Sequence, residues 1–229
     1  MLRKFLRNPF PFLNPCPAWE YGQVPRASEL PRRINSELLA IRDRPRQISL
    51  EYARDPRTLH ERLFRGLTIP GQPYLAGTYR GHPKYDCLRN REVKVHTPSG
   101  PDDTFPPVLV HAMMRRCCKE ILEEMATLDL LHTNQQIPPQ ARSAQVVESA
   151  AYILGGFNVV HPFANGNGHV SRLLTFAFLA RYDLEPRSWS VLSIRDEAAR
   201  DAYGALFRAF RAGDSVPLQR FLHDKIAGR

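Results

Sequence analysis

Apolar residues recur at helical spacing over most of the chain's second half. The clearest patterns cover 108–131, 143–160, 172–182, 196–213 and 216–228. The segment 143–160 is apolar on nearly every side, which is typical of a helix buried at the centre of a protein. These patterns predict a mainly α-helical fold.

Helix-capping signals place shorter helices in the first half. Asp55 followed by Pro56 is a favourable N-cap and first-turn pair for a helix ending near Phe64. Asn35 or Ser36 is the predicted cap of another short helix. Residues 1 to about 33, rich in proline and arginine and without sustained periodicity, predict an extended arm.

The region 68–104 is rich in turn residues and contains one short alternating run, 92–96, followed by the turn sequence TPSGPDD. This pattern predicts loops around a single small β-hairpin. We therefore expect one minor β element beside the helices.

The composition is that of a globular protein, with 43% hydrophobic and 24% charged residues in a chain of 229. No apolar run reaches the roughly 18 residues that a membrane span requires. Prolines at 9, 11, 15 and 17 interrupt any signal-peptide core, so we expect a cytoplasmic protein, with secretion as a host-directed effector as the alternative.

The net charge of +9 favours an anionic partner, but the arginines are scattered and no nucleic-acid motif is visible. No specific nucleic-acid partner is expected. The four cysteines, at 16, 87, 117 and 118, have neither metal-site nor disulfide-framework spacing, and we expect free thiols.

The most informative segment is HPFANGNGHVSR, 161–172, between two apolar helices. Pro162 disfavours helical backbone at His161, so the first helix should end there. Two glycines then permit close turns whose N–H groups, at the start of the next helix, favour an anion such as phosphate. Asn167 and Arg172 could donate to phosphate oxygens, and His161 has an ordinary pKa suited to a general base near neutral pH.

This segment resembles the motif of the Fic (Fic/Doc) family, HPFx(D/E)GNGRxxR. The upstream sequences LHERLF (59–64) and AGTYR (76–80) look like the family's LHxxLF and AGxYR elements, and 93–107 looks like its target-docking flap. The resemblance implies a mainly α, Fic-type helical bundle with a small β-hairpin flap. It divides the chain into an N-terminal extension with a short helix, 1–54, and a Fic-like catalytic domain, 55–229.

The family's usual reaction is AMPylation, a post-translational modification by a nucleotidyltransferase. AMP moves from ATP to a Ser, Thr or Tyr hydroxyl of a target protein, with Mg²⁺ as cofactor and pyrophosphate as the leaving group. The resemblance makes His161 the catalytic base and Phe163 the buried anchor of the loop. It assigns nucleotide and phosphate binding to Gly166, Asn167, Gly168, His169 and Arg172, and target docking to Val93, Lys94 and Val95.

Two positions depart from the family motif. Asn165 stands where the acidic metal ligand is usual, and a neutral amide binds a hard cation less tightly than a carboxylate. His169 replaces the first arginine, which removes a permanent charge and a bidentate donor. His169 either contacts phosphate or faces solvent. Family members also transfer UMP, phosphocholine or phosphate, so the donor stays open.

Two functions therefore compete: a Fic-type transferase, and a weak or inactive relative that serves as a nucleotide- or protein-binding module. The family's inhibitory helix carries the pattern S/TxxxE(G/N), and no segment of this chain fits it. Inhibition by a separate antitoxin-like protein is one hypothesis, and the absence of such inhibition is the other.

Overall fold

The computed structural model describes residues 16–95, 100, 102–189 and 197–229. Within these residues the protein is mainly helical, as predicted, with one short pair of strands. No helix in this part of the chain is both long and apolar enough to cross a membrane. The helices are α1 (Leu30–Asp43), α2 (Pro45–Arg54), α3 (Pro56–Phe64), α4 (Asp86–Arg89), α5 (Pro107–Thr133), α6 (Pro139–Val160), α7 (Asn167–Ala180), α8 (Glu197–Arg211) and α9 (Val216–Ala227).

The centre of the fold is the pair α6 and α7, which pack against each other. Every residue of α7 from His169 to Ala180 is buried, and this stretch includes the polar residues His169, Ser171, Arg172 and Thr175. Helices α5, α8 and α9 pack on α6, and α2 packs on α7. The loop between α6 and α7 therefore lies between two well-anchored helices.

The N-terminal helices share this core. Helix α1 begins at Leu30, with Pro31 in its first turn, so the predicted start at Asn35 or Ser36 is wrong. A proline in the first turn has the backbone angle that a helix needs and lacks only an N–H that would find no partner. Helix α2, which periodicity did not predict, begins in the same way at Pro45 and buries Tyr52. The division of the chain at 54/55 stays a prediction.

The capping prediction for α3 is confirmed, because the Asp55 carboxylate accepts a hydrogen bond from the backbone N–H of Arg57 at 3.1 Å. Helix α6 begins at Pro139 rather than at the predicted cap Ser143. Here again a proline occupies the first helical position, and the helix is one turn longer than its apolar pattern.

The predicted hairpin is present as β1 (Lys94–Val95) and β2 (Asp102–Asp103), paired antiparallel with Lys94 opposite Asp103. His96, the end of the alternating run, lies outside the described residues together with the rest of 96–99 and residue 101. Below, the flap means these two strands.

The expectation of four free thiols is wrong for two of them. Cys16 and Cys87 form a disulfide, with Cα atoms 4.9 Å apart across a sequence separation of 71 residues. Cys117 and Cys118 are free and half-buried, as predicted. The pairing has no local sequence signal because it depends on how the arm before α1 folds back towards α4.

Candidate active site

The exit of α6 positions His161. The helix ends at Val160, and His161 adopts a left-handed backbone conformation with φ 51° and ψ 62° before Pro162. Arg80 holds this turn: its Nε donates to the His161 carbonyl at 2.6 Å and its Nη2 to the Val160 carbonyl at 2.7 Å. A buried cation at a helix C-terminus compensates the partial negative charge of the unpaired carbonyls. The turn that bears the histidine is therefore rigidly held.

The imidazole of His161 is held in its neutral form. Burial, reinforced by the charges of Arg80 and Arg211, lowers the pKa of His161 to about 3, although the nearby Asn158 carbonyl favours the charged form. This corrects the expectation of a pKa near neutrality. Nδ1 is buried, and no atom of the described residues forms a hydrogen bond with it.

The interior of the loop is closed on itself. The Asn167 side chain accepts a hydrogen bond from the Phe163 N–H and donates one to the Phe163 carbonyl, both at 2.8 Å. Phe163 is fully buried and stacks on the ring of His60, with 3.8 Å between centroids. The oxygen and one N–H of the Asn167 amide are thus used within the loop, and its second amide N–H and its backbone N–H remain for the predicted contact with a phosphate, which stays a prediction.

The motif loop leads directly into the start of α7. Gly166 caps the helix with φ 78°, and a Cβ there would lie 2.4 Å from Cε2 of Phe64. The first N–H groups of a helix have no partner within the helix, and those of Asn167 and Gly168 occupy that position in α7. They make this end of α7 favourable for an anion.

His169 is the third residue of α7 and Arg172 lies about one turn further along; both are buried, with 3% and 6% of their surface exposed. Nη2 of Arg172 lies 3.5 Å from Nδ1 of His169, and Arg172 also lies beside the Tyr203 side chain. Nε2 of His169 is 2.9 Å from the hydroxyl of Tyr21. His169 therefore does not face solvent.

Asn165 uses both ends of its amide within the protein. Oδ1 accepts from the Gly166 N–H at 2.7 Å, and Nδ2 donates to the Trp19 carbonyl at 2.6 Å. Mg²⁺ is normally bound by one or two carboxylates together with phosphates and waters. The loop 161–172 contains no carboxylate, so its residues do not fit a magnesium site held by the protein alone.

The flap is joined to the same turn. Nη2 of Arg80 donates to Oγ1 of Thr104 at 2.9 Å, and Thr104 in turn donates to the Val93 carbonyl at 2.6 Å. On the other strand, Arg211 forms an ion pair with Asp102 at 3.0 Å. The hairpin is thus anchored next to the exit of α6.

The sequence model described as "Fic/DOC family" matches residues 52–179, more than half of the chain. The chain belongs to the Fic/DOC family. A crystal structure of a Fic domain containing signaling protein from Bacteroides thetaiotaomicron VPI-5482 has a similar fold, with a TM-score of 0.57 and 18% identity, over 87% of this chain and 68% of that one. No curated protein matches the sequence.

Within this Fic fold, the residues proposed from the motif lie together at the junction of α6 and α7. Lys94 and Val95 form β1 of the flap, and Val93 precedes them. Thr104 joins the flap to this junction through its hydrogen bonds with Arg80 and with the Val93 carbonyl. The roles of all these residues stay predictions, since they rest on the family motif.

Sequence reasoning missed several residues that shape this Fic site. Arg80 and His60 stand within the recognised segments AGTYR and LHERLF, so their position was a usable signal. Tyr21 and Trp19 had no such signal, because they belong to the arm without periodicity. Their contacts with His169 and Asn165 arise only from the tertiary structure.

Proposed function

We propose that this Fic protein transfers AMP from ATP to a Ser, Thr or Tyr hydroxyl of a target protein. The observation that carries the proposal is a neutral His161 in the short loop that leads into the N-terminus of α7, with buried Arg172 in the first turns of that helix. A base and an anion-binding site side by side suit the attack of a hydroxyl on a phosphate.

In the proposed reaction, the target hydroxyl forms the new bond to the α-phosphorus while the bond to the β-phosphate oxygen breaks. The hydroxyl proton passes to His161 and later to solvent or to the departing pyrophosphate. With a pKa of about 3, the imidazole accepts this proton only as the new O–P bond acidifies the hydroxyl. Neutral imidazole is nevertheless the form that a base requires, and burial maintains it.

The donor would be held from the α7 side. The N–H groups of Asn167 and Gly168 would meet the α-phosphate, and Arg172 with His169 would meet the distal phosphates. Mg²⁺, predicted from the family, would arrive with the nucleotide, since Asn165 offers only one neutral oxygen that already accepts a hydrogen bond. The donor nucleotide itself is part of the proposal.

The target would approach from the flap. An extended segment pairing with the main chain of Val93, Lys94 and Val95 needs few specific side chains, so the flap predicts a docking mode rather than a sequence. Arg80 and Thr104 link β1 to the turn of His161, which would fix the distance between the paired target segment and the base.

The test incubates the purified protein and a lysate with ATP, UTP, GTP and CDP-choline, each labelled on the group to be transferred, beside His161→Ala. Label on protein that disappears in this variant is the expected result. Measurable nucleotide binding without label from any donor would reject the transferase and leave the binding module. His223→Ala, at an exposed position, is the matched control.

The binding-only alternative has an observation in its favour, because Asn165 and His169 are both in contact with the arm. The variant His169→Arg restores the arginine of the family motif and distinguishes a weakened transferase from a binding module. A gain of transfer from ATP would mean that His169 weakens an ordinary AMP transferase. No gain would favour another donor or a binding role.

A further inference from the structure

The described part of the N-terminal arm, residues 16–29, crosses the side of the motif loop proposed to receive the distal phosphates. The carbonyl of Trp19 accepts a hydrogen bond from Asn165, and the hydroxyl of Tyr21 lies 2.9 Å from Nε2 of His169. The arm thus contacts the two positions at which this chain departs from the Fic motif. Its contact with His169 lies beside Arg172.

The arm is seated on aromatic rings. Trp19 is 1% exposed, donates from Nε1 to the Leu67 carbonyl at 2.9 Å, and packs edge-on against Phe64 at 5.6 Å between centroids. The ring of Tyr21 lies 5.1 Å from the same Phe64. Since Phe64 also blocks any side chain at Gly166, the arm and the motif loop rest on one common residue.

The start of the arm is fixed by a covalent bond. Cys16 is joined to Cys87 in α4, and Arg91 donates to the carbonyls of Cys16 and Pro17 at 3.3 Å each. Tyr21 follows Cys16 by five residues, a stretch of at most about 17 Å when extended. The disulfide therefore keeps Tyr21 within about 17 Å of Cys16 and limits how far the arm can move.

We propose that the Cys16–Cys87 disulfide is a redox latch that keeps the arm over the phosphate side of the site. In the oxidised protein, Trp19 and Tyr21 restrict access to Asn165 and His169. A dithiol reductant breaks the S–S bond, is itself oxidised to a disulfide, and leaves two protein thiols, after which the arm can leave the loop. This regulation rests on the proposed function only in naming a nucleotide as the ligand that gains access.

The test uses the full-length protein, oxidised or reduced with dithiothreitol that is removed before labelling. Diethyl pyrocarbonate labelling of individual histidines, read by peptide mass spectrometry, reports exposure of His169 without any need for activity. ATP affinity is measured by calorimetry in parallel. Reduction is expected to raise both His169 labelling and ATP affinity by about tenfold, within the usual range of coupling between sites.

Cys87→Ser is expected to match the reduced protein without reductant, whereas Cys117→Ser should respond to reductant like the wild type. His60, beneath the loop, should stay unlabelled in every sample; its labelling would mean general unfolding and would overturn the latch. Four titratable thiols in the oxidised protein, unchanged His169 labelling after reduction, or a Cys87→Ser variant that behaves like the oxidised form would also overturn it.

The two proposals fail separately in this experiment. If His169 becomes reactive on reduction but ATP binds neither form, the latch stands and the nucleotide function is rejected. If ATP binds both forms with the same affinity while His169 becomes reactive, the arm does not restrict the nucleotide and the latch is rejected as a regulator.

Discussion

His60 packs against the motif loop and His161 begins it, and burial lowers the pKa of each to about 3. The hydrogen bonds of their Nδ1 atoms differ. His60 accepts a hydrogen bond at Nδ1 from the Gly77 N–H at 2.8 Å, and its Nε2 lies 3.0 Å from the Asn165 carbonyl. His161 has no partner for Nδ1 among the described residues.

The difference separates a structural histidine from a candidate catalytic one. Because Nδ1 of His60 is an acceptor, its proton is on Nε2, and the single tautomer ties α3 to the motif loop. Both histidines are neutral, so the protonation state alone does not distinguish them. What distinguishes them is Nδ1, which has a hydrogen-bond partner in His60 and none among the described residues in His161.

The largest effect is expected for His161→Ala. Transfer should fall by about 10²–10⁴-fold, the usual contribution of a general base, because no neighbouring group replaces the imidazole. The free energy of unfolding should fall by only about 1 kcal/mol, because the substitution removes the contact of the imidazole with the Asn158 carbonyl. Initial rates and urea unfolding check both parts. A loss of stability as large as that of His60→Leu would remove the distinction.

His60→Leu should have the opposite profile. It removes the hydrogen-bond partners of the half-buried Gly77 N–H and Asn165 carbonyl and covers both with an apolar side chain, at a cost of about 2–5 kcal/mol in the free energy of unfolding. Urea unfolding against His223→Leu, an exposed control, measures this cost. A variant as stable as the wild type would mean that His60 does not hold the loop.

The pH dependence of the free energy of unfolding tests whether the imidazoles of His60 and His161 are both neutral in the folded protein. Their folded pKa values lie below the unfolded value near 6.5, so the unfolded chain binds more protons as the pH falls from 6.5 towards 3. The free energy of unfolding is therefore at its full value above pH 6.5 and decreases below that pH. At pH 5 the decrease is about 2 kcal/mol for each histidine.

NMR of histidine-labelled protein measures the same property directly. The imidazole signals of His60 and His161 should keep their neutral-form shifts from pH 8 to about 4.5, where pKa values near 3 leave both rings unprotonated. A titration midpoint near 6.5 for His161 alone would mean that its pKa is the ordinary one expected from the sequence. The two histidines would then differ in pKa as well as in hydrogen bonding.

The smallest effect is expected for Thr104→Val, which keeps the shape of the side chain but removes the hydroxyl between Arg80 and Val93. Stability should decrease by about 1 kcal/mol, the usual net contribution of a hydrogen bond. The KM for the protein target should rise while ATP affinity stays constant. An equal change in both would mean that the flap and the exit of α6 do not act separately.

Patterns within short segments of the chain predicted much of this fold. Apolar periodicity located α5 to α9, Pro162 located the end of α6, and Asp55 located the start of α3. The resemblance to the family motif placed His161 and Arg172 in one site, and in the structure both lie at the junction of α6 and α7. Such features depend on residues that are close together in the sequence, so they can be predicted from one sequence alone.

Features that depend on distant packing were not predictable in this way. The disulfide joins residues 71 apart, and the hydroxyl of Tyr21 meets a histidine 148 positions later. The bonds that the Asn167 amide makes to the Phe163 backbone, which hold the loop, also had no signal in the sequence. The lowered pKa of His161 also has no sequence signal, because its causes are burial and arginines from other segments.

The close approach of Phe64 to Gly166 has a consequence for evolution. Any side chain at position 166 would have to occupy the volume of this ring, and would also have to accept a left-handed backbone. A single substitution at 166 should destabilise the protein by the clash with Phe64 and by the strained backbone. If residue 64 is replaced by a smaller one at the same time, only the backbone strain remains. Among homologous chains, we therefore expect asparagine or another residue at 166 only where 64 is small, so that positions 102 apart in the chain change together.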